Sequence, residues 1–312
     1  MNFSIIEELL PNDMLGKDLY HYTTSDGLLG ILKSRKLHCS HIFYLNDYEE
    51  NLNAWKYYFK LVETWKHDDQ KGVHFAALLK NQFEHWKIFN SETISLEAFA
   101  KFRINEFYLF VFSLSRMDDD LTQWRAYTDD SIGFGIKFNF NEGFLYDQSR
   151  FKEPRVASNY ANCKLLIRNC IYNTKEKEEI IKKLIDRTFE DYKNGKGNWP
   201  NELFFNMLSL NIFFKNDKFE SEQECRVAVL PETTILFTHD KEAGSLHFKN
   251  GKSFLIPYIE MDLTANILKE VKIGPTPFPN HSLASISMLL KKYDNKYGPI
   301  TTTLSRIPYR SW

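Results

Sequence analysis

The chain has 312 residues, with 40 lysines and arginines against 41 aspartates and glutamates and a formal net charge of -1. So even a balance gives no global field that draws the chain to nucleic acid or to a membrane surface, which leaves only a local basic groove for such a partner. The length suffices for a sizeable core in one large domain or two small ones. Four cysteines, Cys39, Cys163, Cys170 and Cys225, form neither a C-x-x-C pair nor a zinc-finger spacing and read as reduced, packed thiols. No stretch approaches the roughly 18 apolar residues of a spanning helix. The N-terminus lacks a basic leader with an apolar segment behind it, so the expectation is a soluble cytoplasmic protein without a membrane partner.

In chain order, Leu19 to Thr23 reads as a short strand. Ser25 and Asp26 offer caps for a helix from Gly27 to Ser34 with Leu28, Leu29, Ile31 and Leu32 inward. Asn46 and Asp47 either close a turn or cap the next helix on one reading, or contact a ligand on the other. Leu52, Trp55, Tyr58, Phe59 and Val62 recur at helical spacing, and a second helix is expected from Val73 to Phe89, so a helical region covers about 49–105. Phe107 to Ser115 is the clearest buried strand, and Ser131 to Phe138 a second, whose Gly133 and Gly135 admit close approach of another backbone or a ligand. Ile180, Ile181, Leu184, Ile185 and Phe189 predict an amphipathic helix inside a helical insertion at about 162–215, with Gly195 to Pro200 as a connector. Strands at Cys225 to Leu230, Phe254 to Glu260, Ile267 to Ile273 and Ile300 to Ser305, with a helix from His281 to Lys292, complete an α+β pattern in a single domain.

Three polar and aromatic islands stand out: Tyr20-His21-Tyr22-Thr23, Gln123-Trp124-Arg125-Ala126-Tyr127, and Glu220-Ser221-Glu222-Gln223-Glu224-Cys225-Arg226. An imidazole beside a short strand can be held by one ring nitrogen while the other meets a ligand hydroxyl, and Thr23 shares the sheet face of His21. Trp124 and Tyr127 sit one helical turn apart and offer flat surfaces to a nicotinamide or adenine ring, and Arg125 is within a side chain's reach of a pyrophosphate. Glu220, Glu222 and Glu224 alternate at strand period and are expected on one face, with Arg226 on the same parity to neutralise one of them. A fixed carboxylate suits stabilisation of the positive charge that develops as a glycosidic bond breaks. Core packing for the aromatics and a structural ion pair for Arg226 are the competing readings.

The Tyr20-His21-Tyr22-Thr23 start, Asn46-Asp47-Tyr48-Glu49, Trp124-Arg125-Ala126-Tyr127 with Gly133, Glu222-Gln223-Glu224-Cys225-Arg226, Ile273-Gly274-Pro275 and the Ser305 to Arg310 tail together resemble the bacterial domain-of-unknown-function family 2971. The H-Y-T start followed by a helix, and the late E-x-E on a strand, are also similar to the histidine and glutamate motifs of ADP-ribosyltransferases, whose substrate is NAD. That resemblance implies a mixed or antiparallel sheet core of the ADP-ribosyltransferase type with an inserted or flanking helical layer. It further implies that His21 binds the nicotinamide-side ribose with help from Thr23, that Tyr22, Tyr44, Asn46, Trp124, Arg125, Tyr127 and Arg226 contribute to substrate binding, and that Glu222 or Glu224 is the catalytic carboxylate. The implied reaction is cleavage of NAD at its nicotinamide glycosidic bond, with ADP-ribose passing to a protein or nucleic-acid acceptor or to water. The implied setting is a toxin or antiviral defence with an antitoxin or defence-system partner.

Two other classes compete. One is a non-catalytic nucleotide or nucleic-acid sensing module, in which the aromatics stack and Arg125 and Arg226 hold phosphate. The other is a metal-dependent nuclease using Asp118, Asp119, Asp120 and the three glutamates as oxygen ligands. The acidic run reads more simply as a solvated loop, and no metal site is expected.

Overall fold

The computed structural model describes residues 4–45, 53–86, 109–128, 132–146, 163–231, 246–251, 253–264, 266–293 and 297–308. Asn46 to Glu49 and the tail from Tyr309 lie outside them, as does much of the helical region expected at about 49–105.

The fold is α+β around a mixed, mostly antiparallel open sheet. Its strands are β1 (Asp18–Thr24), β2 (Lys36–His41), β3 (Phe110–Ser115), β4 (Gly133–Asn139), β5 (Cys163–Asn169), β6 (Glu224–Pro231), β7 (His247–Asn250), β8 (Leu255–Asp262), β9 (Leu268–Ile273) and β10 (Thr301–Leu304). The order runs β10-β9-β4-β1-β3-β2-β8-β7, with β6 on β3 and β5 on β6, and among the described strands only β10 and β9 pair in parallel.

The sheet forks at β3. Strand β6 pairs with it along its whole length, from Phe110↔Val229 to Ser115↔Glu224. On the other edge β1 meets it only at Tyr20↔Ser115, and β2 only at Ser40↔Val111 and His41↔Phe110. The middle of that edge is left to side chains, and a cleft opens beside it.

Side-chain alternation sorts two cores onto the two faces. On one face Val111, Leu166, Ala228 and Leu230 lie beneath a helical layer: α1 (Ser4–Leu9), α3 (Asn53–Thr64), α4 (Gln70–Trp86), α7 (Thr174–Lys193) and α8 (Trp199–Asn211). In α7 the expected stripe of Ile180, Ile181, Leu184, Ile185 and Phe189 is buried, and Asn173 caps the helix by accepting from the amides of Lys175 and Glu176. On the other face Leu19, Phe112, Ile136, Val227 and Val271 pack under α2 (Ser25–Ser34) and α9 (Pro279–Lys291). Two short helices, α5 (Leu121–Tyr127) and α6 (Glu142–Tyr146), flank β4.

Three local expectations are corrected. Helix α2 begins at Ser25 and its cap is Thr24, whose hydroxyl accepts from the Gly27 amide. The segment expected as a helical insertion at about 162–215 starts with strand β5 before α7 and α8. Glu220, Glu222 and Glu224 do not alternate on one strand: Asp217–Glu222 is a 3-10 helix, Gln223 takes a left-handed conformation (φ 44), and β6 begins only at Glu224. Asn216 wins this contest locally, because its side chain accepts from the Lys218 amide and starts a turn.

Candidate functional site

The cleft at the fork is partly open to solvent and is lined by Tyr20, His21 and Tyr22 of β1, Ser113, Leu114 and Ser115 of β3, Gln123 and Tyr127 of α5, and Glu222 and Glu224. All three sequence islands therefore contribute to one wall system, although about 200 residues separate the first from the last.

His21 spans the gap that the fork creates. Its Nδ1 donates to the Ser113 carbonyl at 3.0 Å, and its ring lies against Phe112 with centroids 4.5 Å apart. A carbonyl only accepts, so Nδ1 carries the proton and Nε2 presents a lone pair. Burial pulls the imidazole down to about 4, against the raising effect of the Ser113 bond, and the charge of Lys249 adds to the fall. At neutral pH the ring is uncharged.

The two glutamates differ in freedom. Glu224 is buried and held from two sides: Arg226 Nε donates to Oε1 at 2.8 Å and Nη2 to Oε2 at 3.0 Å, and Lys215 Nζ donates to Oε2 at 2.6 Å. Burial alone would raise this carboxyl, but Arg226 and Lys215 outweigh it and hold it at about 2. Its amide in turn donates to the Tyr172 hydroxyl. Glu222 sits at the end of the 3-10 helix, with one carboxylate oxygen on Lys215 at 2.6 Å and a side chain that is 19% exposed. Its backbone is fixed from β3 and α5: Ser115 Oγ donates to the Glu222 carbonyl at 2.8 Å, Gln123 Nε2 to the same oxygen at 3.4 Å, and the Arg116 amide to the Gln223 carbonyl. Glu222 is thus the carboxylate offered to the cleft, and Glu224 is the one spent on the wall.

The aromatics divide similarly. Tyr127 stands at the rim, 41% exposed. Trp124 is buried beneath Tyr20 and Tyr22, meets the Tyr22 ring edge-on at 4.6 Å, and donates from Nε1 to Asp119. The Tyr22 hydroxyl donates to the Met117 carbonyl and accepts from the Asp120 amide, and burial raises its pKa against the lowering effect of the Asp120 bond.

The remaining expected residues stand outside the lining. Thr23 packs against Gly27, where an added Cβ would come within 1.9 Å of its Oγ1. Tyr44 ends a 3-10 turn and meets Phe254. Arg125 is exposed on the side of α5 away from Gln123, and Arg226 is 1% exposed and turned onto Glu224 and the Ile212 carbonyl. Asn46 lies outside the described residues.

The acidic run is used by the fold. Asp120 caps α5 through the Gln123 amide, Asp119 accepts from Trp124, Ser305 and the Arg306 amide, and Asp118 faces Lys272 and Arg306. Among the described residues no three His, Cys, Asp or Glu side chains gather as a metal would require, and no helix is long and apolar enough to cross a membrane.

Lys215 and Ser115 are contributors that sequence reasoning did not single out. Lys215 follows the apolar run Ile212-Phe213-Phe214 outside any island, and only its short separation from the glutamates pointed to it.

Residues 123–227 match the model of a family described as protein of unknown function (DUF2971). The matched segment opens on Gln123 in the cleft wall and closes just beyond Arg226, so it carries Lys215, Glu222 and Glu224 and supports the resemblance to that family. No curated protein and no solved structure matches the chain.

Proposed function

We propose that the cleft binds the nicotinamide-riboside end of NAD and that the protein is an ADP-ribosyltransferase-like enzyme cleaving the nicotinamide glycosidic bond. The observation that carries this reading is the meeting, in one cleft, of a neutral imidazole from β1 with the two glutamates that precede and begin β6.

In this reading His21 Nε2 accepts from a ribose hydroxyl, and Tyr127 lies alongside the nicotinamide ring. Glu222 accepts from the second hydroxyl and faces the sugar carbon. The carbon–nitrogen bond breaks with its electron pair passing to the nicotinamide nitrogen, which leaves neutral. Glu222 stabilises the positive charge left on the ribosyl carbon. An acceptor nucleophile or water then bonds to that carbon and loses its proton. Lys215 keeps Glu222 oriented, and Arg226 relieves Lys215 of neutralising Glu224 alone.

Nicotinamide release from NAD by the full chain, with a lysate as acceptor source, tests the reading. Glu222→Gln is expected to cut release about 100-fold or more with stability nearly unchanged. Glu224→Gln is expected to cost about 3 kcal/mol in denaturant unfolding, because it leaves the buried Arg226 facing a neutral amide while Lys215 keeps Glu222. No release from folded wild-type protein that still binds nucleotide would replace the enzyme with a non-catalytic sensing module.

A further inference from the structure

Gln123 lines the cleft from α5 and is 4% exposed, so the fold has brought a polar amide under cover at the wall of the site. Its backbone is fixed where α5 begins, with the N–H on Asp120 Oδ1 at 3.0 Å. In the side chain, Nε2 donates to the Glu222 carbonyl at 3.4 Å. A carbonyl only accepts, so the nitrogen is the end of the amide that faces Glu222, and Oε1 is turned the other way. Among the described residues no donor reaches Oε1, and it is not one of the sealed polar atoms of the interior, so it meets the cleft.

The neighbours of Oε1 narrow what it can take. Tyr127 follows four residues later on α5 and lines the same cleft, and residues four apart share one face of a helix. A flat ring lying alongside Tyr127 can therefore present a substituent to Gln123. Elsewhere the wall offers acceptors, namely the lone pair of His21 Nε2 and the carboxyl oxygens of Glu222. Donors beside them are committed to the protein: Ser115 Oγ to the Glu222 carbonyl, and the Tyr22 hydroxyl to the Met117 carbonyl. A ligand seated here is asked for N–H and O–H groups, and one without a donor at Gln123 leaves a covered oxygen unpaired.

We propose that Gln123 is a specificity-determining residue of the cleft, its Oε1 accepting from the N–H of a primary carboxamide on a ring held alongside Tyr127. This rests on the NAD reading above and deepens it: the amide nitrogen of the ligand is recognised, and not the flat ring alone.

Calorimetric titration tests this with the full chain carrying Glu222→Gln, which removes turnover and keeps the backbone carbonyl of residue 222 in place. The two probes are NAD and its acetylpyridine analogue, in which a methyl group replaces the amide nitrogen. NAD should bind about tenfold or more tighter, because the analogue brings no donor to Oε1. Adding Gln123→Leu should bring the two ligands within about twofold of each other. Adding Gln123→Glu, which still accepts but cannot donate to the carbonyl of residue 222, should keep the preference for NAD. Equal binding of both ligands before Gln123 is changed, a preference that persists in Gln123→Leu, or one that is lost in Gln123→Glu would each overturn the assignment while leaving the NAD reading in place. A residue that acts only by holding the backbone at position 222 would weaken both ligands alike in both variants, which also overturns it. No binding of either dinucleotide to the folded chain would overturn the NAD reading, and the assignment with it.

Discussion

An imidazole held near pKa 4 is neutral in the folded chain at pH 7 but binds a proton at about 6.5 once unfolded. Between those values the unfolded state takes up more protons, so stability contributed by His21 is complete above pH 6.5 and is lost as pH falls toward 4. The shift corresponds to about 3 kcal/mol at its upper limit. Glu224 acts in a separate, lower window: its folded carboxyl stands at about 2 against 4.5, so its contribution holds above 4.5 and is lost as pH falls toward 2. Urea unfolding at pH 7, 5.5 and 4.5 should therefore show a decline in wild type that is largely absent in His21→Asn. An equal decline in both proteins would assign the slope to another group. The neutral state of His21 was not readable from its neighbours in sequence. It comes from burial of the ring against Phe112, 91 residues away, which outweighs the opposing Ser113 bond.

At the scale of elements, α5 and the C-terminal segment are joined through one carboxylate. Asp119 takes the Trp124 indole N–H at 2.9 Å, the Ser305 hydroxyl at 2.6 Å and the Arg306 amide at 2.7 Å, while Ile307 packs on the Tyr20, Tyr22 and Trp124 cluster. Burial would raise the Asp119 carboxyl, but these bonds and Lys272 outweigh it and hold it below its usual value. Gly274 fits closely at the same junction: its amide bonds the Gly133 carbonyl, and a Cβ there would meet that oxygen at 3.0 Å and the Trp124 ring at 3.1 Å. Asp119→Ala is expected to lower stability by about 2 kcal/mol, since hydrogen bonds to a charged acceptor are the stronger kind. It should also red-shift tryptophan emission as the Trp124 cover loosens. An unchanged spectrum and unfolding midpoint would show that Asp119 does not join these elements. The two glycines of β4 had suggested a close approach of backbone or ligand. What approaches is Thr128 at Gly133, and Trp124 with Lys272 of β9 at Gly135.

For the whole molecule, two hydrophobic cores lie on opposite faces of one sheet and share β3, β5 and β6. A shared sheet couples their unfolding, because neither face survives loss of the strands between them. Leu184→Ala beneath the helical layer and Ile136→Ala beneath α2 and α9 each remove a fully buried side chain and should each cost about 2–5 kcal/mol. Both should lower the same single calorimetric transition. Two transitions, each answering to one of the variants, would divide the chain into two domains.

Periodicity and turn chemistry determined the local elements. The runs at Leu19, Phe107, Ile267 and Ile180 name their strands and helix because burial on one or both faces leaves a two- or 3.6-residue signature in any chain that folds this way. Residue type also marked His21, Glu222 and Glu224 as worth attention. The tertiary structure alone decided which of the two glutamates faces the cleft, that Trp124 is buried in its wall, and that Lys215 and Ser115 belong to the site. Those outcomes depend on strand order, on the fork at β3 and on the 3-10 helix that breaks the glutamate alternation. They are set by contacts between segments up to about 200 residues apart, which no local pattern encodes.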